Sequence, residues 1–156
     1  MGFDLDGTRQ IISDLAQERD DLARKIEEME KRHQMTSKVR RVECGWGGHF
    51  VCADMCLFRR NTHLEKDGIW VVVSTVGNMY TPNSTKASEI GVGRFYETMV
   101  FLSDVDDNEY HDADVSKQIP TKGAWLISKP DRDNEANEMH EAIVAEILEG
   151  MESGDA

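Results

Sequence analysis

Two apolar runs separated by a polar break constrain this chain more than any other stretch. The first is Ile69-Trp70-Val71-Val72-Val73-Ser74-Thr75-Val76-Gly77-Asn78. The second is Gly91-Val92-Gly93-Arg94-Phe95-Tyr96-Glu97-Thr98-Met99-Val100-Phe101. β-Branched and aromatic runs flanking a break rich in Pro, Asn, Ser and Thr predict two strands joined by a loop. The first run opens continuously apolar and suits a central strand covered on both faces. The second carries Arg94, Tyr96, Glu97 and Thr98 inside an otherwise apolar strand. Polar groups so placed must be paired, exposed at a site or turned to water.

Size and charge bound what surrounds this sheet. A chain of 156 residues suits one compact domain plus an appendage. Its mean hydropathy of −0.55 leaves part of it for an extended helix or tail. A net charge of −12 argues against sequence-independent binding to duplex nucleic acid or to an anionic membrane surface, because both need a basic surface. It leaves room for a small anionic ligand in a local arginine pocket. No apolar run approaches the roughly 20 residues of a membrane span, and no signal peptide is visible. An odd count of three cysteines without a secretion signal predicts reduced thiols in a cytoplasm. Met1-Gly2 is not a myristoylation start, since Asp6 stands where Ser or Thr is needed.

Residues 1–7 read as a frayed start, and Thr8 as the N-cap of a helix free of Pro and Gly through Met35. Ile12, Leu15, Leu22, Ile26 and Met29 fall at alternating three- and four-residue spacings, with Arg19 and His33 in the same seam. That is an a/d heptad run. A helix of about 40 Å is longer than a domain of this size covers. Either it lies along its own domain or it associates with other copies, Arg19 then limiting register or partner number. Residues 1–36 are therefore read as an N-terminal oligomerisation helix, 37–128 as an antiparallel β-sheet ligand-binding domain, and 129–156 as a C-terminal amphipathic helix and tail. The fold class expected is α+β, with a long N-terminal helix and an antiparallel sheet of four to six strands.

Lys38–Cys44 alternates like a short strand, and Gly45-Trp46-Gly47-Gly48 marks a turn or bulge. Trp46 is either a lid on the core or a stacking platform. His49–Leu64 reads as a strand with a kink. Cys44, His49, Cys52 and Cys56 invite a zinc reading, but the spacing lacks a paired knuckle and a second half-site. Buried free thiols acting as small apolar residues fit better, and no metal or cofactor is expected. Arg59-Arg60-Asn61-Thr62 closes this segment. Adjacent arginines on a strand face opposite ways, so at most one faces a given pocket. They are either a surface pair neutralising nearby acids or include one that forks onto a phosphate, with Asn61 and Thr62 adding donors.

Lys66-Asp67-Gly68 predicts a tight turn that sets residues 50–64 antiparallel to 69–77. The Asn83-Ser84-Thr85 sequon carries no meaning without secretion. Gly91-x-Gly93 lacks the third glycine and following helix of a dinucleotide fingerprint and reads as a bend into the strand. The acidic stretch Asp104–Asp114 lacks the Gly and closing Glu of a calcium loop and reads as a solvated hairpin loop. Tyr110–Ile119 alternates like a strand, and Trp125-Leu126-Ile127 adds a short apolar segment. After Pro130, the positions Ala136, Met139, Ile143, Val144, Ile147, Leu148 and Met151 recur at helical spacing. The tail after Gly150 reads as loose.

The blocks Trp46-Gly47-Gly48-His49, Phe58-Arg59-Arg60-Asn61-Thr62, Val73-Ser74-Thr75-Val76-Gly77 and Arg94 to Phe101 resemble those of small bacteriophage proteins. Within these, the chain is similar to the Thoeris anti-defence sponges over roughly residues 39–119. That resemblance implies a cytoplasmic, non-enzymatic homo-oligomer, a dimer or hexamer, in an infected bacterial host. It implies sequestration of cyclic ADP-ribose isomers made by TIR enzymes, with cyclic oligonucleotides held at separate sites in some members.

The residues are compatible with such a ligand. Two phosphates and an adenine want arginines, amide and hydroxyl donors, and an aromatic face. Arg59 or Arg60, Asn61, Thr62, Arg94, Phe95, Tyr96 and Thr98 offer that set on neighbouring strands. Two other classes compete. A coiled-coil structural or adaptor protein would use the N-terminal helix and acidic C-terminal helix to hold a protein partner. A phosphodiester or glycosidic hydrolase would draw acid and base groups from His49, His63, His111, Glu97 and Asp112, though no recognised spacing joins them.

Overall fold

The computed structural model describes residues 5–36, 38–44, 49–103 and 110–154, with side chains in the N-terminal helix described for 15–29 and 31. The chain divides into two compact units, Met1–Ser37 and Lys38–Ala156. The expected turn at Gly45–Gly48, the role of Trp46, and the acidic loop at 104–109 lie outside the described residues.

The first unit is helix α1, Leu5–Thr36. It begins upstream of Thr8, so Thr8 lies within it and is not its N-cap. Leu15, Leu22, Ile26 and Met29 are each more than half exposed. Leu15, Arg19, Leu22 and Ile26 line one open apolar strip. The polar surface carries local ion pairs, Arg24 with Asp21 at 3.1 Å and Lys31 with Glu27 at 2.7 Å. The side chains of Ile12 and His33 lie outside the described residues.

The second unit is an antiparallel sheet with one helix upon it. Its strands are β1 (Arg40–Cys44), β2 (Cys56–Lys66), β3 (Ile69–Met79), β4 (Tyr96–Ser103), β5 (Ala113–Ile119) and β6 (Leu126–Ile127). Their order is β1-β2-β3-β4-β5, with β6 also paired to β4. The β2–β3 hairpin turns at Asp67 and Gly68, both at positive φ (54° and 82°). Two successive left-handed residues match the twist of a two-residue hairpin, and Asp-Gly supplies them at low cost. That turn fixes Lys66 opposite Ile69 and runs the register to Phe58 opposite Gly77. Residues 71–78 of β3 are all buried, as a central strand covered on both faces requires.

Two strand expectations are corrected. Residues 49–55 form a bend and a 3-10 turn (Ala53–Met55) in place of a strand, and β2 starts only at Cys56. Gly91–Arg94 closes a tight turn in which the Arg94 N–H donates to the Gly91 carbonyl at 3.0 Å. Arg94 and Phe95 thus precede β4 and are not within it.

Helix α2 (Asp133–Ser153) lies across one sheet face. Ala136, Met139, Ile143, Val144, Ile147 and Met151 meet Val39, Leu64, Val71, Val73, Tyr96 and Val100 in the core. Tyr96 anchors the start of α2. Its hydroxyl donates to Asp133 Oδ1 at 2.5 Å and accepts the Arg132 N–H at 2.9 Å. Gly154, left-handed at φ 81°, ends the helix by donating its N–H to the Gly150 carbonyl. No helix among the described residues is long and apolar enough to cross a membrane.

Candidate functional site

The strand alternation sorts the expected ligand residues onto two faces. Arg60, Thr62, Tyr96 and Thr98 face α2. Arg59 and Asn61 face the other way, Arg59 exposed and Asn61 wholly buried. Arg94 and Phe95 sit at the entrance to β4. Phe95 packs on the core edge, and its backbone bonds Ile127 and Asn78. The eight residues do not converge on one cavity.

Those facing α2 are engaged within the protein. Arg60 donates to Asn137 Oδ1 at 2.7 Å and pairs with Glu141. Arg41 forks onto Glu141 at 2.8 and 2.9 Å and also pairs with Glu43. Hydrogen bonds from Arg41, with Arg60 beside it, hold the Glu141 carboxyl down to about 2. Of the two arginine readings, Arg60 matches neutralisation of neighbouring acids, and the acids come from α2 and β1.

Behind this pair runs a buried chain of hydroxyls centred on His140. The Thr62 hydroxyl donates to Glu43 Oε2 at 3.0 Å. Thr62 Oγ1 is 2.7 Å from His140 Nε2, Thr75 Oγ1 is 2.6 Å from His140 Nδ1, and Thr75 is 2.7 Å from Thr98. A hydroxyl has one hydrogen to give. Thr62 gives its own to the carboxylate, so its oxygen accepts from Nε2–H. Nδ1 then accepts from Thr75, and Thr75 accepts from Thr98. The chain therefore selects the Nε2–H tautomer of a neutral imidazole. Burial, reinforced by the Arg60 charge, pushes His140 down to about 4. Thr62 and Thr98 are thus structural links between strands and helix.

Arg94 is differently placed. Its guanidinium lies 5.6 Å from the centre of the Trp125 ring, and Nη1 donates to Glu97 Oε2 at 2.5 Å. It folds back over Gly91, where an added Cβ would come within 2.3 Å of Nη2. A groove of about 230 Å³ opens here, lined by Arg94, Thr98, Met99, Gln118, Thr121 and Trp125 among others. It lies at the edge of β4, between the end of β5 and the start of β6. Guanidinium, indole, amide and hydroxyl groups together form a donor-rich lining with one aromatic face. Sequence reasoning does not single out Trp125, Gln118 or Thr121 as site residues; the one signal is a tryptophan opening a short apolar segment.

Glu97 also bridges to the opposite face of the sheet. His49 Nε2 is 3.4 Å from Glu97 Oε1, and the imidazole lies over Phe101 with ring centres 5.6 Å apart. His111 stacks on Trp70 at 3.9 Å, and Arg40 covers Trp70 at 4.8 Å. Of the candidate acid and base groups, the described contacts join His49 with Glu97. The three cysteines are free thiols. Burial pushes Cys56 up to about 11, so it is protonated at neutral pH. Among the described residues, no three His, Cys, Asp or Glu side chains cluster so as to hold a metal ion.

Comparison of the chain with protein families, with curated proteins and with solved structures finds no match in any of the three.

Proposed function

We propose that the protein captures a small anionic nucleotide of the cyclic ADP-ribose kind, without cleaving it, inside an infected bacterial cell. The observation that supports this reading is the Arg94–Trp125 pair at the mouth of the β4-edge groove. The guanidinium, held by Glu97 through Nη1, has further N–H groups to offer a phosphate, and the indole supplies a stacking surface. The net charge of −12 opposes anion capture at long range, so the attraction is local and short. Typical small-molecule sites span about 300–1,000 Å³. A groove of about 230 Å³ holds part of a dinucleotide-sized ligand. Full enclosure then calls for a second copy of the chain, and the exposed apolar strip of α1 supplies the means of association. Incubation with a cyclic ADP-ribose isomer followed by heat denaturation should return the isomer intact. Recovery of a linear product would instead identify an enzyme.

A second reading rests on α1 by itself. The exposed Leu15, Leu22, Ile26 and Met29 also suit a helical protein partner, making the chain an adaptor. That reading predicts no retained small molecule by native mass spectrometry and a specific protein capture lost on deleting residues 1–35.

A further inference from the structure

The Arg94 groove lies where the outer edge of the sheet is interrupted. Ile119 of β5 is opposite Val100 of β4, and Leu126 of β6 is opposite Glu97. Between these two pairs β4 has two residues, Thr98 and Met99, while the edge chain has six, 120–125. Extra residues on one strand cannot stay within the ladder, so 120–125 loops out and leaves the edge open. Thr121 and Trp125, near the two ends of that loop, line the groove.

The loop is fixed at two points. The Thr98 N–H of β4 donates to the Trp125 carbonyl at 2.8 Å. The middle of the loop is held from α2: the Lys122 N–H donates to Glu146 Oε1 at 2.8 Å, and the Gly123 N–H donates to Oε2 of the same carboxylate at 3.1 Å. Two successive backbone N–H groups converging on one anion form a nest, and bonds to an ionised acceptor are stronger than neutral ones. Glu146 does not itself line the groove. The Arg94 side has a separate anchor in the Glu97 carboxylate. The guanidinium is thus held from β4 and the indole-bearing loop from α2, and their separation of 5.6 Å depends on both anchors.

We propose that Glu146 is the positioning residue of this groove: its carboxylate latches the 120–125 loop to α2, holds Trp125 against Arg94, and slows the escape of a bound ligand. Its effect on binding rests on the reading of the groove as a nucleotide site; its effect on the loop does not. A loop tied in its binding geometry loses less freedom when a ligand arrives, so the latch acts by pre-organisation.

The test compares full-length ¹⁵N-labelled wild type with Glu146→Ala, Glu146→Gln and Glu149→Ala, the last removing the same charge from an exposed position of α2. Without ligand, Glu146→Ala should speed amide exchange at Lys122 and Gly123 about tenfold or more and shift the Trp125 indole and Arg94 Nε signals. Glu146→Gln, which keeps one acceptor oxygen, should fall between, and Glu149→Ala should match wild type. Exchange and signals in Glu146→Ala that match wild type overturn the latch, as does an equal response in Glu149→Ala. With a cyclic ADP-ribose isomer, Glu146→Ala should bind about three- to tenfold more weakly, through faster dissociation. Equal affinity and dissociation rate in the two proteins overturn the positioning role. Wild type that binds no isomer overturns the nucleotide reading instead, and the ligand-free exchange and indole signals then decide the latch. Should Glu146→Ala fail to fold, Glu146→Gln carries the same comparisons.

Discussion

His140 makes stability fall on mild acidification, and the size of the effect follows from its burial. The imidazole sits between Thr62 and Thr75 with its folded-state pKa near 4, against 6.5 when exposed. Between those values the unfolded chain binds a proton that the folded one refuses. Stability is therefore complete above about pH 6.5 and declines as pH falls toward 4. A tenfold difference in proton affinity between the two states is worth about 1.4 kcal/mol, so lowering pH from 6.5 to 4.5 removes about 2–3 kcal/mol. The lowered Glu141 carboxyl acts in the same direction but at lower pH, since its loss begins only below about 4.5. Urea unfolding at pH 7, 6 and 5, followed by tryptophan fluorescence, isolates the histidine. All three tryptophans lie outside α1 and report on the sheet unit. The His140→Gln variant, which cannot titrate, is expected to be less stable at pH 7 and nearly flat across this range. Equal pH slopes in wild type and variant would refute the assignment. In ¹⁵N spectra at pH 7, His140 should appear as the Nε2–H tautomer, and a positively charged ring would contradict the hydroxyl chain.

Four further outcomes are expected. Tyr96→Phe removes the bonds that tie β4 to the start of α2 and should cost about 1–3 kcal/mol in chemical denaturation. Ile143→Ala, at a wholly buried position under α2, should cost about 2–5 kcal/mol in the same assay. Gly91→Ala displaces the Arg94 guanidinium and should weaken nucleotide binding about as much as Arg94→Ala, with little loss in melting temperature. Leu22→Asp together with Ile26→Asp should lower the oligomer mass in light scattering without changing the circular dichroism of the sheet unit, and an unchanged mass would remove α1 from assembly.

The elements are legible in the sequence where local chemistry decides. Asp67-Gly68 dictates a two-residue turn, the first apolar run reads as buried on both faces and is so from Val71 on, though Ile69 is exposed, and the stripe from Ala136 to Met151 marks the face of α2 that meets the sheet. The site is legible only in part, because its partners are distant in the chain. Arg60 carries no sign that Asn137 and Glu141, 77 and 81 positions away, will engage it. His140 sits within an apolar stripe and gives no hint that two threonine hydroxyls from different strands will hold its ring. Arg94 is legible as a polar group needing a partner, but Trp125 and Glu97 are not legible as those partners. Residues 49–55 carry enough apolar side chains for a strand, yet they fold into a 3-10 turn whose bonds are local, such as Met55 N–H to the Cys52 carbonyl at 3.0 Å.

The central claim, that an anionic nucleotide is captured between Arg94 and Trp125, is tested most directly by calorimetric titration of the full-length protein with a cyclic ADP-ribose isomer, alongside the Arg94→Ala/Trp125→Ala double variant. Saturable binding by the wild type is predicted, weakened at least about tenfold in a double variant that retains its fold, as expected for loss of a charge-assisted contact and a stacking face. Absence of binding heat in the wild type, or equal affinity in the two proteins, would contradict it.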